Sequence, residues 1–398
     1  MNDRERFNAT MHYKPRDRSP ICDFGFWPET IDGWHVQGLP AWVTGGHDTT
    51  QTDKFFGMDL YNGGPSPNVG LYPAFPEKVL EDRGDHEVVQ QSDGVRVLRK
   101  KYMGSIPSHL GHLLVDRQSW NTHYKPRLDA GSPGRFPTGS DLDKAVKIWI
   151  DPHRRTPCVG WGGSLFGCLR DWMGMENIVL VPYDDPAWFE EMVTTLADVT
   201  VAMLGRMFAA GACLDAISMW EDMCFNSGPL LSPHLFKKYL VPQYRRITDL
   251  ARSHGVDVIW VDCDGKIDDL LPLWLEAGVN CMFPVEVGTW QADPVQYRKH
   301  YGRELLMMGG FDKHILARSK KDIQREVHRL TPLVEDGGFI PFADHRVPPD
   351  VPLENYMYYL EQARQCWGKN HPSLKPLGQL ELAKESLPRK AQTQPQAG

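Results

Sequence analysis

The chain has 398 residues, of which 41 % are hydrophobic and 24 % charged, and its net charge is −7 at pH 7. This composition is typical of a soluble globular protein with a substantial core, and the negative charge argues against nucleic acid or an anionic membrane as a partner. The eight cysteines are scattered without a CxxC pair, which excludes a disulfide scaffold and indicates reduced thiols in a cytoplasmic protein. The N-terminal stretch MNDRERFNAT is too polar for a signal peptide, and no apolar run predicts a membrane span.

The N-terminal third is irregular, because glycine, proline and histidine interrupt its pattern from residue 46 to residue 137. We interpret this range as an excursion, a candidate lid, that carries a few strands. Within it, HEVVQQSDGVRVLRKKY predicts a β-hairpin around Asp93 and Gly94. At the other end, residues 369–398 are polar and rich in proline and glutamine, which predicts a frayed tail. Residues 1–368 are expected to form one domain.

From residue 146 onward, short apolar runs alternate with amphipathic helices, a pattern typical of a parallel α/β fold. The helices have recognisable starts: Ser232 precedes Pro233 in one, and Ser319 forms a capping box with Asp322 in another. The predicted strands are CLDAISMW, DVIWV, NCMFPV, ELLMMGG and GFIPFA, and two earlier candidates are SPICDFGF and PCVGWGGSLFG.

Each of the five later strands ends in polar residues: Glu221-Asp222, Asp262-Cys263-Asp264, Glu286, Asp312-Lys313 and Asp344-His345. Strands that carry polar side chains at the same end predict a (β/α)8 barrel, or TIM barrel, whose functional site lies at the carboxyl ends of the strands. A doubly wound open sheet is the alternative, but it would concentrate such residues at one switch point.

The stretch WVDCDG is the first candidate for a functional site. On a strand, Asp262 and Asp264 point to one side and Cys263 to the other. Two carboxylates aimed at one cavity repel each other unless a cation or a shared proton separates them, so a metal or an acid with a raised pKa is the functional interpretation. The alternative is a turn at Asp264-Gly265, with Asp262 capping the next helix.

The second candidate is FADHRVPPD, where His345 could act as a metal ligand or as a general acid. Its alternative is structural: Asp344 would pair with Arg346 while His345 packs. Of Glu221 and Asp222, one should face the barrel axis and the other the helices, unless both lie in a solvated loop.

Four further residues are candidate contacts to a substrate. Glu286 and Asp312 would supply polar contacts at the barrel mouth, and Trp27 and Trp34 would form a flat, apolar wall near the end of the first strand. For the two tryptophans, ordinary core packing is the alternative.

Several stretches resemble the uroporphyrinogen decarboxylase superfamily: RERFNATMHYKPRDRSP, EDMCFNSGPLLSPHLFKKYLVPQYRRI, the Asp264-Gly265 strand end, GGFDK and DHRVPPDVPLENY. The resemblance covers most of residues 3–365 and implies a (β/α)8 barrel. The decarboxylases of this superfamily hold a polycarboxylate tetrapyrrole with an arginine-rich loop after the first strand. Here no lysine or arginine occurs between Arg18 and Lys54, so a polyanion would be desolvated without compensating cations.

The chain therefore resembles the corrinoid-linked methyltransferase branch more closely. In that branch zinc is held by a His-x-Cys pair and a later Cys, and the matching positions here are Asp262, Asp264 and His345. The resemblance implies that these three residues bind a divalent metal, most simply Zn2+, with Cys263 and Glu221 as further candidate ligands.

The implied function is a metal-dependent methyltransferase or demethylase that moves a methyl group between a small substrate, such as an O-methylated one, and a corrinoid protein. Glu221, Asp264 and His345 are its expected catalytic residues. Because the sequence has no DxHxxG motif for cobalamin, we expect any corrinoid to be carried by a partner protein. Two alternatives stay open: a metal-independent carboxy-lyase with Asp264 and His345 as acid and base, and a non-catalytic barrel that binds a corrinoid or tetrapyrrole.

Overall fold

A computed structural model of the chain describes residues 1–45, 48–101, 106–369 and 371–375. The strands in chain order are β1 (Lys78–Arg83), β2 (His86–Gln90), β3 (Arg96–Lys100), β4 (Ser108–Gly111), β5 (Val159–Trp161), β6 (Ala216–Trp220), β7 (Cys224–Phe225), β8 (Gly228–Pro229), β9 (Ile259–Asp262), β10 (Cys281–Val285), β11 (Leu306–Phe311) and β12 (Phe339–Ala343).

The α-helices are α1 (Asp3–Met11), α2 (Pro28–Val36), α3 (Thr50–Phe56), α4 (Arg117–Ser119), α5 (Gly139–Trp149), α6 (Gly167–Met173), α7 (Met175–Ile178), α8 (Val181–Asp184), α9 (Pro186–Ala209), α10 (Pro233–Leu235), α11 (Val241–Ser253), α12 (Leu271–Glu276), α13 (Pro294–Tyr301), α14 (Lys320–Asp336) and α15 (Leu353–Cys366). Two π-helical turns (Trp120–Tyr124 and Phe236–Leu240) and three 3-10 turns (Lys125–Leu128, Gly302–Glu304 and Lys313–Ala317) complete the helical elements of the described residues.

Six parallel strands form the central sheet, in the order β12-β11-β10-β9-β6-β5. Two extended segments, residues 20–26 and 59–63, lie in the gap between β12 and β5. The N–H of Asp59 donates to the carbonyl of Ile21 (2.6 Å), the N–H of Val159 donates to the carbonyl of Gly63 (2.8 Å), and Phe26 forms a parallel bridge with Val347. The predicted (β/α)8 barrel is confirmed, with the candidate strand SPICDFGF present as extended chain.

Along each strand of the barrel, side chains point alternately into the barrel and outward toward the helices. On β9, Trp260 packs inside the barrel with Phe283 and Phe342, whereas Ile259 and Val261 pack outward among the helices. This alternation directs Asp262, two residues after Trp260, toward the barrel axis. It directs the following residue, Cys263, into the outer core, where Cys263 is buried.

The irregular N-terminal third contains a separate antiparallel sheet in the order β1-β2-β3-β4. Its central hairpin, β2 and β3, is the predicted one and turns at Asp93 and Gly94. The role of residues 46–137 as a lid stays a prediction, and the extended segment 59–63 within that range belongs to the barrel wall.

Two further expectations concern the helices and the tail. Ser232 and Ser319 cap their helices as predicted, by accepting hydrogen bonds from the N–H groups of Leu235 (3.3 Å) and Asp322 (3.2 Å). Among the described residues, α9 has the length and composition to cross a bilayer, but 56 % of its apolar window is buried within the protein, as in a core helix. Most of the predicted tail, residues 370 and 376–398, lies outside the described residues.

Candidate active site

Three carboxylates meet at the carboxyl ends of two neighbouring strands. Asp262 ends β9, Asp264 lies two residues further on, and Asp222 follows β6, which pairs with β9 so that Trp220 lies opposite Asp262. One carboxylate oxygen from each of Asp222, Asp262 and Asp264 lies within 4.8 Å of the other two. We call these three residues the aspartate cluster.

Backbone hydrogen bonds hold the two strand ends of the cluster together. The N–H of Glu221 donates to the carbonyl of Asp262 (2.8 Å), and the N–H of Asp264 donates to the Oδ1 atom of Asp222 (3.1 Å). Asp222 has a φ of +41°, in the left-handed region that few residues other than glycine, asparagine and aspartate adopt. The guanidinium of Arg170 donates to the Asp222 carbonyl and lies 4.0 Å from its Oδ2 atom.

The three carboxylates repel one another when all of them are ionised, so the cluster favours bound protons or a cation. Burial, with repulsion from Asp264, raises the pKa of Asp222 to about 6, and burial together with Asp222 and Asp264 raises the pKa of Asp262 well above its usual value. The Oδ1 atom of Asp264 is buried and has no hydrogen-bond partner among the described residues, which is costly for a carboxylate oxygen. Convergent carboxylates with an unsatisfied oxygen fit a divalent cation.

His345 lies beside the cluster, where β12 ends. Its Nε2 atom is 3.3 Å from the Oδ2 atom of Asp264, and its ring packs against Phe24 and Trp27 at centroid distances of 5.2 and 6.0 Å. The imidazole is therefore close enough to exchange a proton with Asp264 or with a molecule bound beside it. The predicted role of Trp27 as a wall of the substrate pocket stays a prediction.

A cavity of about 810 Å³ opens beside Asp262. Its aromatic lining residues are Phe24, Tyr61, Trp161, Trp220, Trp260 and Phe283, and its charged lining residues are Asp23, Asp53, Asp59, Asp262, Lys54 and Lys375. Nearby, the Arg346 guanidinium lies over the rings of Phe24 and Trp27, 5.4 and 5.7 Å from their centroids. The volume and lining suit a small organic molecule with an apolar, flat part.

Glu221, predicted as a metal ligand or catalytic acid, is not part of the cluster. Its side chain is fully buried and turned toward the neighbouring loop, where five donors occupy its two oxygens: Leu165 N–H, Phe166 N–H, Gly167 N–H, Ser164 Oγ and Tyr244 Oη. This is a correction of the sequence-based choice between the two acids, because Asp222 takes the place expected for Glu221.

Cys263, predicted as a further candidate ligand, also lies outside the cluster. Its Sγ atom accepts a hydrogen bond from the N–H of Met223 (3.4 Å) in the outer core. Burial and the adjacent Cys224 raise the pKa of the Cys263 thiol well above its usual value. A buried thiol that holds its proton is a poor metal ligand.

The predicted substrate contacts are divided between the site and its surroundings. Glu286 lies close to the cluster, since it accepts hydrogen bonds from the N–H of Gly265 (3.1 Å) and from the Nζ atom of Lys313 (3.2 Å). Asp312 instead caps a 3-10 turn and accepts from the N–H of His314 (2.9 Å). Trp34 is a correction: it is buried in the core and its Nε1 atom donates to the carbonyl of Val351 (2.7 Å), so it does not line the cavity.

Two features of the site were not found from the sequence. Trp220 lies opposite Asp262 in the pairing of β6 with β9. Had this pairing been known, the alternation of side chains would have placed Asp222, two residues after Trp220, on the side of Asp262 in preference to Glu221. Arg170 lies more than 50 residues before Asp222 in the chain and carries no sequence motif that would connect the two.

The profile of the family described as uroporphyrinogen decarboxylase (URO-D) matches residues 138–366, which is more than half of the chain. Curated relatives include the uroporphyrinogen decarboxylases of Syntrophotalea carbinolica and Shewanella piezotolerans, which are 25 % and 24 % identical over 222 and 228 residues. These alignments cover 52 % and 54 % of this chain and 59 % and 60 % of the relatives. The chain thus matches less than two thirds of the length of these relatives.

Among solved structures, a methyltransferase from Methanosarcina mazei is similar with a TM-score of 0.59 and 17 % sequence identity. The similarity covers 92 % of this chain and 98 % of the methyltransferase. At this identity the match shows a shared barrel fold over nearly the whole length of both proteins. The family profile, which matches more than half of the chain, shows that the chain belongs to the uroporphyrinogen decarboxylase family.

Proposed function

We propose that this chain is a metal-dependent methyltransferase that moves a methyl group between a small, O-methylated substrate and a corrinoid carried by a partner protein. The observation that carries the proposal is the aspartate cluster, with the unsatisfied Oδ1 atom of Asp264 and with His345 beside it, at the edge of an aromatic-lined cavity. The fold shared with a methyltransferase supports it.

Asp222, Asp262 and Asp264 would hold the metal, and His345 is close enough to join them. Relative to the set expected from the sequence, Asp222 is added and Cys263 and Glu221 are removed. A set of carboxylates with one imidazole is hard and suits Zn2+, Mn2+ or Fe2+. When bound, such an ion supplies Lewis acidity toward an ether or hydroxyl oxygen of the substrate.

The residues around the cluster have separate roles in the proposed reaction. In demethylation the C–O bond would break and its electron pair would stay on the substrate oxygen, which takes up a proton. Because the Nε2 atom of His345 faces Asp264 and is counted among the metal ligands, solvent would supply this proton. The methyl group would pass to the partner's cob(I) corrinoid, a co-substrate that supplies the electron pair of the new bond. Phe24 and Trp27 would orient a flat substrate beside His345, and Glu286 with Lys313 would form a polar contact.

A carboxy-lyase is the second candidate, favoured by the name of the curated relatives and by the contact between Asp264 and His345. The charges of the cavity argue against a polycarboxylate substrate. Four carboxylates line the cavity with two lysines, and one of these lysines, Lys375, already pairs with Asp3 (3.0 Å). A substrate with many carboxylates would lose its hydration there without enough cations to replace it.

The test is a methyl-transfer assay with purified protein, free cob(I)alamin as the acceptor and a panel of small methoxylated compounds. We expect methylcobalamin to form, as seen in its visible absorption, and to stop forming after chelation or after Asp262→Asn. Asp257→Asn is the matched control, since Asp257 is exposed and precedes the amino end of β9. Turnover that is insensitive to chelators, or release of CO2 as the sole activity, would contradict the proposal.

A further inference from the structure

Two buried acids stand immediately before residues of the site. Glu221 precedes Asp222, and Asp344 precedes His345, and both carboxylates are completely buried. Neither belongs to the aspartate cluster, and the proposed reaction does not use them. Their side chains bind the backbone N–H groups of neighbouring loops.

Glu221 connects the end of β6 to the start of α6. It accepts from the N–H groups of Leu165, Phe166 and Gly167, each at 2.8 Å. Gly167 lies so close that a Cβ atom added to it would be 2.3 Å from the Glu221 carbonyl oxygen. The start of α6 therefore lies directly against the backbone of Glu221, where only glycine fits, while its N–H groups bind the Glu221 carboxylate.

This connection has a consequence for Asp222. Helix α6 carries Arg170, whose guanidinium donates to the Asp222 carbonyl, and the backbone of Glu221 itself binds Asp262. Asp222 is thus held from both sides in a left-handed conformation. This conformation costs a residue other than glycine about 1 kcal/mol or more, so it persists only where the surrounding structure imposes it. The carboxylate of Glu221 holds the start of the helix that carries Arg170, and its backbone N–H holds the end of β9.

Asp344 makes the equivalent connection on the opposite side of the site. It accepts from the N–H groups of Val287 and Gly288, both at 2.7 Å, and of Lys313, at 3.0 Å. These donors belong to the loops after β10 and β11. Asp344 therefore fixes the wall that carries Glu286 and, through its own backbone, the start of the loop with His345.

We propose that Glu221 is a positioning residue for the aspartate cluster, acting through Asp222, and that Asp344 has the same role for His345. The proposal rests on the proposed function in one respect, because its main readout is metal binding. It goes beyond that function by assigning the two most deeply buried acids of the barrel mouth to the shape of the site and not only to the fold.

Asp215 provides a control for a purely structural role. It precedes β6 and therefore lies at the opposite end of the barrel from Glu221. It is also buried, and it accepts four hydrogen bonds of 2.8 to 2.9 Å, from Arg4, Asn8, Arg154 and Cys158. If buried acids of this kind only hold loops together, replacing Asp215 and replacing Glu221 will have the same effects.

The experiment compares Glu221→Gln, Asp344→Asn and Asp215→Asn in the full chain. Thermal unfolding measures the structural cost, Mn2+ titration followed by electron paramagnetic resonance measures affinity, and the visible spectrum of bound Co2+ reports the ligand geometry. We expect all three variants to lose stability. We expect only Glu221→Gln and Asp344→Asn to weaken Mn2+ binding, by about 10- to 100-fold, and to change the Co2+ spectrum.

The proposal is overturned if Glu221→Gln binds Mn2+ as wild type does, or if Asp215→Asn weakens binding equally. Should Glu221→Gln fail to fold, Tyr244→Phe removes one of the five donors, the Tyr244 hydroxyl at 2.6 Å, and is expected to weaken Mn2+ binding several-fold with the fold intact. Unchanged Mn2+ binding in that variant would count against the proposal.

Failure of the proposed function has a different signature, namely that wild type binds neither Mn2+ nor Co2+. Crystal structures of metal-free wild type and Glu221→Gln then decide the positioning role. Loss of the left-handed conformation of Asp222 and of its 3.1 Å hydrogen bond with the Asp264 N–H supports it. An unchanged Asp222 overturns it.

Discussion

Replacing Asp222 by asparagine should stabilise the metal-free protein, although it removes a charged side chain from the candidate active site. Asparagine keeps the oxygen that accepts from the Asp264 N–H and tolerates the positive φ of this position. The replacement therefore changes the charge with little change of shape. The exposed fraction of the Asp222 side chain is 25 %, so solvent screens its repulsion with Asp264 only partly.

The gain in unfolding free energy is gauged from the pKa shift of Asp222 and from the repulsion between two carboxylates. The pKa of Asp222 rises from 3.8 to about 6 on folding, and two pKa units correspond to about 3 kcal/mol. Separately, two unit charges within 4.8 Å of each other repel by at least about 3 kcal/mol at an effective dielectric constant of ~20. The weak 4.0 Å ion pair with Arg170 offsets at most about 1 kcal/mol.

The stabilisation expected for Asp222→Asn depends on pH. Because the folded-state pKa is raised, the folded protein holds the Asp222 proton more tightly than the unfolded chain does, and this stabilisation is lost as pH rises from about 4 to about 6. Asp222→Asn should therefore gain about 2–3 kcal/mol over wild type at about pH 8, and almost nothing near pH 4.

The assay is urea unfolding followed by circular dichroism, with a chelator present, for wild type and Asp222→Asn at both pH values. Asp257→Asn, at the far end of β9, serves as the control and should change stability by less than about 0.5 kcal/mol. If Asp222→Asn lowers the unfolding free energy equally at both pH values, the carboxylates do not repel one another as described, and the electrostatic case for a metal is lost.

Three further predictions concern neighbouring residues. Burial raises the pKa of Asp23 to about 7, so wild type should lose about 4 kcal/mol of unfolding free energy between about pH 4 and pH 7 from this group alone, and Asp23→Asn should flatten that part of the pH profile in urea unfolding. Asp59→Asn leaves the buried Arg18 guanidinium without its carboxylate and should cost about 3–5 kcal/mol in the same assay; a loss below about 1 kcal/mol would show that the pair is solvated. Cys263→Ala should leave Mn2+ affinity unchanged within about twofold, because the thiol lies in the outer core; a tenfold loss in the titration would return Cys263 to the site.

The regular part of the fold was predictable because its signals are local. Each parallel strand from β6 to β12 is an apolar run bounded by a helix with recognisable ends, and polar residues at equivalent strand ends indicate a barrel. The segments that close the barrel were not predictable in the same way. Residues 59–63 lie within an irregular stretch, and their place in the wall depends on hydrogen bonds to Ile21 and Val159, far away in the sequence.

The site was predictable in its main position but not in its detail. Alternation along β9 is enough to place Asp262 and Asp264 on one side and Cys263 on the other. Choosing between Glu221 and Asp222 requires the pairing of β6 with β9 and the left-handed conformation of Asp222. The strand pairing and the contact between Arg170 and the Asp222 carbonyl are both long-range, and no local sequence pattern contains them.

The central claim is that the aspartate cluster and His345 bind one divalent metal ion, and anomalous diffraction from crystals grown with Zn2+ tests it most directly. The account predicts a single anomalous peak per chain, bounded by the carboxylates of Asp222, Asp262 and Asp264 and close to the Nε2 atom of His345, and no peak there in Asp262→Asn. A cluster that shows no anomalous peak in wild-type crystals, while Zn2+ is present at saturating concentration, would contradict it.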